Sequence, residues 1–593
     1  MTNQMTNQNI INEESKSGLP TMSIIVDGKK NYIHSKYNPK EESEKLIDNM
    51  VNHIEDNDII IFWGLGLGYH IEAYLKRFPE KYYIIIEPHK NMLINLIHNR
   101  GINSIINDKL KKIFILDYDK DAYKSVEDYL HQFDSVFFIV LPSYERIFAD
   151  EYREFYLNFG FVMEDFALKN RTKKLFQKTW TKNVLLNYSQ IINSKYIFNM
   201  DRDIFLNKPA ILVSAGPSLE YELSNLKYIK QNKLAYIFSA GSAISALVEN
   251  NIYPDAAWSI DPGEVNVEVF QKVIEKEITA IPLVFATTVG YGTPQAYPGE
   301  KLYFITDKDK ISPWLIKYDK ASGLKIVQDA SSVAVVALEA LINLGFNPIM
   351  LVGQNCAFER DQYYSKGIDY GMFGEKGSGI QYDLSFTFKV EGVQGEAVYT
   401  TSSLNKFRTD FEEAIVRYKD ASIINTTKEG AKIAGTWYEP LEKVISDRLT
   451  YSVVEDNWYT KAHGSIDKKH MIHICRHMEN QYKLLNEIFT SLNLITQNAE
   501  KEELGLHLDQ LLSIYNNLIV NDYFKAFIYP MNFHESECLV NKIRELNKNN
   551  KAQDIFESLY DFLMNCRNDI ITSYNMFCNV KRDIDSFVEN KLL

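Results

Sequence analysis

The middle of the chain alternates short apolar runs with stretches of helical spacing. The runs have four to six residues, and each is followed by Ser, Gly or Asp. Such runs are typical of buried parallel strands. We predict strands at 210–213, 235–240, 256–260 and 348–352. A helix is predicted over Val333–Leu344, because an Ala/Val/Leu-rich stretch there ends at Gly345. Strands that alternate with helices predict an α/β fold.

The N-terminal part has a different feature, a glycine-rich turn between two apolar runs. The run 58–63 is followed by Gly64, Gly66 and Gly68, and the run 82–86 ends in Glu87. In nucleotide- and S-adenosylmethionine-binding turns, the glycines admit the ligand and the acidic residue binds a ribose. The alternative is that the glycines only allow the strand and the helix to pack tightly. We predict a Rossmann-like domain here and leave its ligand open.

The C-terminal part is predicted to be helical. After Gly435, apolar residues recur at helical spacing over 469–493, 499–519 and 552–590. We therefore expect four regions in the chain. They are a disordered polar tail over 1–20, a Rossmann-like domain over 21–170, a catalytic α/β domain over 171–440 and an all-α domain over 441–593.

Composition excludes several classes of protein. The net charge of −13 argues against nucleic acid as a partner, because phosphate binding needs concentrated Lys and Arg. The five cysteines are scattered and are predicted to be reduced core residues. No 18-residue apolar run predicts a membrane span, and no signal peptide is visible, so we expect a cytoplasmic protein. His470, His473 and His477 lack a further ligand at suitable spacing, so no metal site is predicted.

Small residues follow the predicted strand 210–213 and form the most informative turn in the chain. Gly216 permits close approach of backbone or ligand, Pro217 favours a helix start, and Ser214 and Ser218 offer hydroxyl groups. Free amides at the start of a helix favour an anion such as phosphate. An ordinary strand–helix turn without a ligand is the alternative.

The ends of the other predicted strands carry further candidate groups. Ligands of open α/β sheets bind at the carboxyl ends of the strands, so these groups are expected along one edge. They are Ser239, Gly241, Ser242, Asp261, Ser331, Ser332, Gly353, Gln354 and Asn355.

Four segments in this order resemble the motility-associated factor (Maf) proteins, which are bacterial flagellin glycosyltransferases. The segments are VSAGPSLE (213–220), PDAAWSIDPG (254–263), SSVAVVALEALINLGFNPIMLVGQNCAF (331–358) and IINTTKEGAKIAG (423–435). The resemblance implies a sialyltransferase-like central domain. It also implies transfer of a nonulosonic acid (sialic, legionaminic or pseudaminic type) from a CMP-activated donor to Ser or Thr of flagellin, with no tightly bound cofactor. The helical region would then dock flagellin, or serve only as a scaffold.

The same resemblance suggests roles for the candidate residues. Asp261, Gln354 and Asn355 are expected to be catalytic, and the Ser, Gly and Pro residues at the strand ends are expected to bind the nucleotide. Tyr363, Tyr364 and Tyr370 are candidates for contacting its phosphate.

Two departures from the family pattern concern the general base. Asn355 stands where the family usually has Asp, and an amide cannot act as a base. No histidine occurs between His89 and His463. The base is therefore expected to be Asp261, Glu359 or Asp361.

Three other functions remain open from the sequence. The archaeal 6-hydroxymethylpterin pyrophosphokinases share the Gly-Pro-Ser-Leu domain, and Asp261 would then help to bind Mg²⁺ on ATP. The turn from Gly64 to Glu87 would suit an S-adenosylmethionine-dependent methyltransferase. A non-catalytic flagellin chaperone would use the helical region alone.

Overall fold

A computed structural model describes residues 10–589, apart from 27, 120–121, 131–132, 134, 316–322, 359–364, 366–386, 463–466, 498–503 and 549–551. By their internal contacts the residues divide into two compact units. Unit 1 is Met1–Lys173 with His534–Ile555, and unit 2 is Lys174–Phe533 with Phe556–Leu593. The boundary expected near residue 440 falls inside unit 2.

Unit 1 contains two sheets. The strands are β1 (Ile10–Glu14), β2 (Pro20–Val26), β3 (Lys29–Tyr32), β4 (Ile59–Trp63), β5 (Tyr82–Glu87), β6 (Leu110–Ile115) and β7 (Val136–Val140). The first three strands pair antiparallel. The other four form a parallel sheet in the order β6-β5-β4-β7. The helices of the N-terminal part are α1 (Pro39–Asp48), α2 (Val51–Glu55), α3 (Tyr69–Arg77), α4 (Lys90–Asn99), α5 (Ala122–Leu130), α6 (Pro142–Ile147) and α7 (Ala149–Leu186), which continues into unit 2.

The expectation of a disordered tail over 1–20 is wrong for its second half. β1 pairs with β2 from Ile10↔Ile24 to Glu14↔Pro20, and the turn between them closes with Ser15 N–H donating to Leu19 O at 2.8 Å. Composition suggested disorder because most of residues 1–20 are polar. The backbone of β1 is ordered by the apolar partner strand, whose Met22 and Ile24 are buried.

Unit 2 is built on one large parallel sheet. The strand order is β14-β13-β12-β11-β10-β9-β15-β18-β19, and β8 pairs with β13 at one end. These strands are β8 (Lys195–Tyr196), β9 (Ala210–Val213), β10 (Tyr236–Ala240), β11 (Ala256–Ser259), β12 (Leu283–Ala286), β13 (Lys301–Thr306), β14 (Ile326–Val327), β15 (Ile349–Val352), β18 (Ile423–Asn425) and β19 (Trp437–Tyr438). A separate antiparallel hairpin joins β16 (Phe388–Glu391) to β17 (Ala397–Thr400).

Helices cover both faces of this sheet. α14 and α15 pack on one face, against Leu212, Phe238 and Trp258, while α9 and α16 pack on the other, against Ile211 and Ile237. Alternate residues of each strand thus face opposite apolar layers. The helices up to α16 are α8 (Tyr188–Asn193), α9 (Leu219–Gln231), α10 (Ala243–Glu249), α11 (Gln271–Glu275), α12 (Gly292–Ala296), α13 (Ser312–Leu315), α14 (Val333–Leu344), α15 (Ser402–Arg417) and α16 (Leu441–Arg448).

The C-terminal part is helical, as expected. It comprises α17 (Lys468–Gln497), α18 (Leu504–Val520), α19 (Tyr529–Met531), α20 (Phe533–Lys548) and α21 (Ala552–Glu589), with a π-helical turn over Phe524–Ile528. Short 3₁₀ helices occur at Asn103–Ile105, Arg202–Ile204, Glu264–Phe270 and Trp458–Lys461. The predicted fold class, α/β with an all-α C-terminal region, is confirmed. No helix in the described ranges combines the length and apolar character that a membrane span requires.

Candidate functional site

The candidate site lies where the strand order of unit 2 reverses. From β9 the chain adds strands outward in one direction as far as β14, and it then returns to place β15 on the other side of β9. In open parallel sheets, this reversal opens a crevice at the carboxyl ends of the two strands. The turn after β9 begins at Ser214 and the turn after β15 begins at Gly353, so the sequence-predicted turns meet at the reversal.

The two turns are fastened to each other by hydrogen bonds. Gly216 N–H donates to Gly353 O at 2.9 Å. The amide and hydroxyl of Ser218 donate to Asn355 Oδ1 at 3.2 and 2.8 Å. The Ser214 hydroxyl donates to Gln354 Oε1 at 2.5 Å. A Cβ on Gly216 would lie 2.3 Å from Asn355 Oδ1, so close approach between the turns requires glycine at this position.

Gln354 and Asn355, predicted to be catalytic, are buried where the turn after β9 meets the turn after β15. Their exposed fractions are 7% and 2%. Gln354 N–H donates to the Thr427 hydroxyl at 3.0 Å, and Asn355 Nδ2 donates to Lys428 O at 3.4 Å. The Gln354 and Asn355 side chains therefore act as internal hydrogen-bond partners that hold the two turns together. The amides of Gly216 and Ser218, expected to bind phosphate, already donate within the protein. Pro217, between them, is buried.

The turn after β10 lies beside the start of α14. Gly241 has a φ of +49°, and its N–H donates to Trp258 O at 3.1 Å. A Cβ there would lie 3.5 Å from Val333 Cγ2, so the turns that carry Ser242 and Ser332 are neighbours. Ser239 is fully buried, and its hydroxyl has no hydrogen-bond partner in the part of the chain that the structure describes.

Ser331 and Ser332 are already bonded at the start of α14. The Ser331 amide donates to Asp410 Oδ2 at 3.1 Å and its hydroxyl donates to the same oxygen. Lys406 pairs with that carboxylate at 3.0 Å. Ser332 Oγ caps α14 by accepting from Ala334 N–H at 3.3 Å. A phosphate at Ser331 would therefore have the Asp410 carboxylate beside it, balanced by Lys406.

One ionisable group at this edge was not identified from the sequence. Burial raises the pKa of Asp329 to about 6, Lys308 lowers it, and the neighbouring Asp307 and Asp410 raise it further. Its position after β14 is a usable sequence signal, but β14 has only two residues, too few to predict as a strand.

Asp261 differs from Gln354 and Asn355, the other residues expected to be catalytic, because its side chain is exposed. Oδ1 accepts from Gly263 N–H at 2.8 Å, and its backbone carbonyl accepts from Gly290 N–H at 2.9 Å. Within the described ranges, Oδ2 has no protein partner. Three strand spacings separate β11 from β15, about 14 Å. Asp261 and Gln354 therefore share one edge, and only an extended ligand spans both positions.

The glycine-rich turn of unit 1 is filled by the protein's own side chains. Glu87, fully buried, accepts from Leu65 N–H at 2.7 Å, from Tyr144 OH at 2.8 Å and from His89 N–H at 2.9 Å. Gly66 N–H donates to Tyr144 Oη at 3.0 Å, and Leu67 N–H donates to His34 Nε2 at 2.8 Å.

Burial sets the protonation of these groups. It raises the pKa of Glu87 to about 7 and holds the pKa of His34 well below its usual range. A Cβ on any of the three glycines would collide with a side chain: Gly64 with Tyr144 at 2.7 Å, Gly66 with His34 at 2.5 Å and Gly68 with Ile105 at 2.6 Å. These contacts favour the packing interpretation of the turn, and ligand binding there stays a prediction. Its glycines allow tight packing, which was the alternative.

The remaining predicted residues are either outside the description or bonded elsewhere. Tyr363, Tyr364, Tyr370, Glu359 and Asp361 lie outside the described residues. His470 Nε2 lies 3.2 Å from Trp314 O, and His477 Nε2 lies 2.9 Å from Asp522 Oδ2. In the ranges given above, no group of three or more His, Cys, Asp or Glu side chains is arranged to hold a metal ion.

Comparison with known proteins gives three similarities. Residues 182–361 match the family model described as 6-hydroxymethylpterin diphosphokinase MptE-like. An uncharacterized protein of Treponema pallidum (strain Nichols) is 23% identical over 206 residues, which are 34% of this chain and 68% of that protein. The solved Maf glycosyltransferase of Magnetospirillum magneticum AMB-1 is similar with a TM-score of 0.55 and 15% identity, over 99% of this chain and 96% of that one.

These similarities extend the evidence from the motifs to the whole chain. The family model covers the segment from the end of α7 to just after β15. The similarity to the solved glycosyltransferase also includes the N-terminal and helical parts. The resemblance to Maf proteins is confirmed at the level of the fold, and the chain has a glycosyltransferase-like fold.

Proposed function

We propose that this protein is a protein O-glycosyltransferase, which transfers a nonulosonic acid of sialic, legionaminic or pseudaminic type from a CMP-activated donor to Ser or Thr of flagellin. The observation that carries the proposal is the fold similarity to a Maf glycosyltransferase over 99% of the chain. A diphosphokinase domain alone would not require the N-terminal and helical parts. The exposed Asp261 at the crevice edge adds a group that can act on a ligand.

The transfer has a simple balance of bonds and charges. The acceptor hydroxyl oxygen bonds to the anomeric carbon, while the bond from that carbon to the CMP phosphate oxygen breaks. CMP leaves with the electron pair, and the hydroxyl proton passes to a base. Asp261 Oδ2, which has no partner among the described residues, suits that base, because Gly263 N–H already fixes the other oxygen.

A second candidate function is an ATP-dependent diphosphotransferase. The match of residues 182–361 to a diphosphokinase-like family favours it. In that case the free Asp261 oxygen would bind Mg²⁺ on ATP, since carboxylates are preferred Mg²⁺ ligands.

Ligand-induced thermal shifts distinguish these functions. A ligand that binds only the native state raises its melting temperature. We expect CMP and CTP to stabilise the full chain, and ATP with Mg²⁺ or S-adenosylmethionine to leave it unchanged. Stabilisation by ATP with Mg²⁺ alone would favour the diphosphotransferase. Stabilisation by S-adenosylmethionine would contradict the filled glycine turn.

Transfer itself is tested with co-expressed flagellin, followed by intact-mass spectrometry. Asp261→Asn should reduce modification by about 100-fold at an unchanged melting temperature, because an exposed base is lost. Gln354→Ala should lower the melting temperature, because it removes a buried partner of Ser214. The exposed neighbour Glu264, changed to Gln, is the control. Wild-type levels of modification by Asp261→Asn would remove Asp261 from the mechanism.

Flagellin recognition is proposed for the helical region. Phe556–Leu593 belongs to unit 2, so deleting the region would damage that unit, and point substitutions in the full chain are the better test. Leu484, Val520 and Ile571 are exposed apolar side chains there. Changing each to Glu should weaken flagellin capture and leave the CMP thermal shift unchanged. Unaltered capture by all three variants would place the acceptor surface elsewhere.

A further inference from the structure

Two asparagines near the end of α7 contact the loops that surround Asp261. Asn183 lies in the last turn of α7, and Asn187 directly follows this helix. Their exposed fractions are 3% and 1%. Burying an amide is costly unless it is hydrogen-bonded, so the partners of these two side chains matter for their role.

Each amide binds two backbone carbonyls in these loops. Asn183 Nδ2 donates to Pro262 O at 2.9 Å and to Thr288 O at 3.0 Å. Asn187 Nδ2 donates to Thr287 O at 3.0 Å and to Val289 O at 2.7 Å. Asn183 thus joins the loop after β11 to the loop after β12, while Asn187 fixes only the second loop.

The two loops are also in direct contact. Gly290 N–H donates to Asp261 O at 2.9 Å. A Cβ on Gly290 would lie 2.2 Å from Gly263 O, so the backbones meet without space for a side chain. The backbone at Asp261 is therefore held through Gly290, and its carboxylate through Gly263.

We infer that Asn183 and Asn187 are positioning residues that fix the Asp261 carboxylate at the crevice edge through the loops 261–263 and 287–290. A reacting group on a loop needs such support, because a displacement of about 1 Å can reduce a rate by about 100-fold. This inference rests on the proposed function, in which Asp261 acts on the ligand. The asparagines themselves touch no substrate.

Amide hydrogen exchange of the full chain tests whether Asn183 and Asn187 hold the two loops, without any assumption about activity. In Asn183→Ala, Gly263 and Gly290 should exchange at least about tenfold faster, because the side chain that joins the two loops is lost. Asn187→Ala should accelerate Gly290 more than Gly263. The control is Asn193→Ala, since the exposed Asn193 donates only to Ser189 O in its own helix, at 2.7 Å. Unchanged exchange at both glycines in a folded variant overturns the inference.

Gly290→Ala should also separate the two loops, and it keeps the test valid if Asn183→Ala does not fold. Its methyl group would push the loops apart without altering α7. It should accelerate exchange at Gly263 in the same way, and unchanged exchange there also overturns the inference.

A comparison of the single and double variants of Asn183 and Asp261 tests whether Asn183 affects turnover through Asp261. Asn183→Ala should lower kcat with little change in KM, and it should add nothing to the loss already caused by Asp261→Asn. Additive losses would contradict action through Asp261. If the wild-type protein neither binds CMP nor modifies flagellin, the proposed function fails. The exchange data still decide whether Asn183 and Asn187 hold the two loops.

Discussion

The chain contains two turns of similar local design, one in each unit, and they have different surroundings. Each follows a buried strand, contains glycine, leads to a helix and lies at a reversal of strand order, between β4 and β7 or between β9 and β15. In unit 1 a buried acid and a tyrosine occupy the turn. In unit 2 two neutral amide side chains do so, and the exposed carboxylate of Asp261 lies further along the edge.

This difference shows what can be inferred from glycines in a strand–helix turn. Glycine marks a place where some group comes close to the backbone. At Gly66 that group is the His34 ring, and at Gly216 it is the Asn355 carboxamide. Ligand binding depends on groups that remain exposed nearby. Unit 1 buries its acid Glu87, and unit 2 exposes Asp261, so the comparison favours unit 2 as the reactive unit.

The largest expected effect comes from placing a side chain between the turns after β9 and β15 in unit 2. Gly216→Ala places a methyl group 2.3 Å from Asn355 Oδ1 and 2.4 Å from Gly353 O, and backbone cannot yield as a flexible side chain does. We expect a loss of about 3 kcal/mol in the free energy of unfolding, measured with urea. Gly292→Ala is the control, because the nearest atom there is 4.0 Å away. Equal stability of the two variants would mean that the turns are not interlocked.

The next effect is a pH dependence in unit 1. Burial raises the pKa of Glu87 from its usual 4.5 to about 7, so the native state binds this proton more tightly than the unfolded state does. The wild type should lose stability as the pH rises from about 4.5 to about 7, by about 2 to 3 kcal/mol relative to Glu87→Gln. Unfolding of both proteins at pH 5, 6, 7 and 8 measures this. Parallel stability curves would contradict the buried acid.

A smaller effect is expected when the tyrosine of the same turn loses its hydroxyl. Tyr144→Phe leaves Gly66 N–H without its acceptor and removes a donor from Glu87, in a fully buried site. Unsatisfied buried groups of this kind cost about 2 kcal/mol. Tyr118→Phe, at a residue that is 70% exposed, should change the free energy of unfolding little. If the two variants are equally stable, the hydroxyl does not hold the turn.

The smallest effect is expected for the matching bond in unit 2. Ser218→Ala removes one donor to Asn355 Oδ1 but keeps the Ser218 amide bond to the same oxygen. The cost should be about 1 kcal/mol. Ser446→Ala, an exposed serine at the surface of α16, is the control. A loss as large as that of Tyr144→Phe would show that both turns depend equally on one hydroxyl group.

The sequence predicted the main elements of unit 2 closely. The predicted strand 210–213 and helix Val333–Leu344 have the observed bounds, and Gly345 ends the helix with a φ of +97°. Local signals suffice there, because each apolar run is bounded by small or turn-forming residues. The strands β8, β14 and β19 were not predicted, since two residues carry no periodicity, and the longer strands β12, β13 and β18 were also missed.

The sequence by itself determined which residues stand at the ends of buried strands, because alternation of apolar runs and glycine turns is a local property. Only the tertiary structure decided which of them are buried as internal hydrogen-bond partners and which stay exposed. Glu87 is the last residue of β5 and Asn355 follows β15, and both polar side chains became internal partners of nearby amides. Asp261 stayed exposed because Gly263 and Gly290 hold its loop while Asn183 anchors it from a distant helix. Such long-range hydrogen bonds depend on packing between segments far apart in the chain, so local spacing does not reveal them.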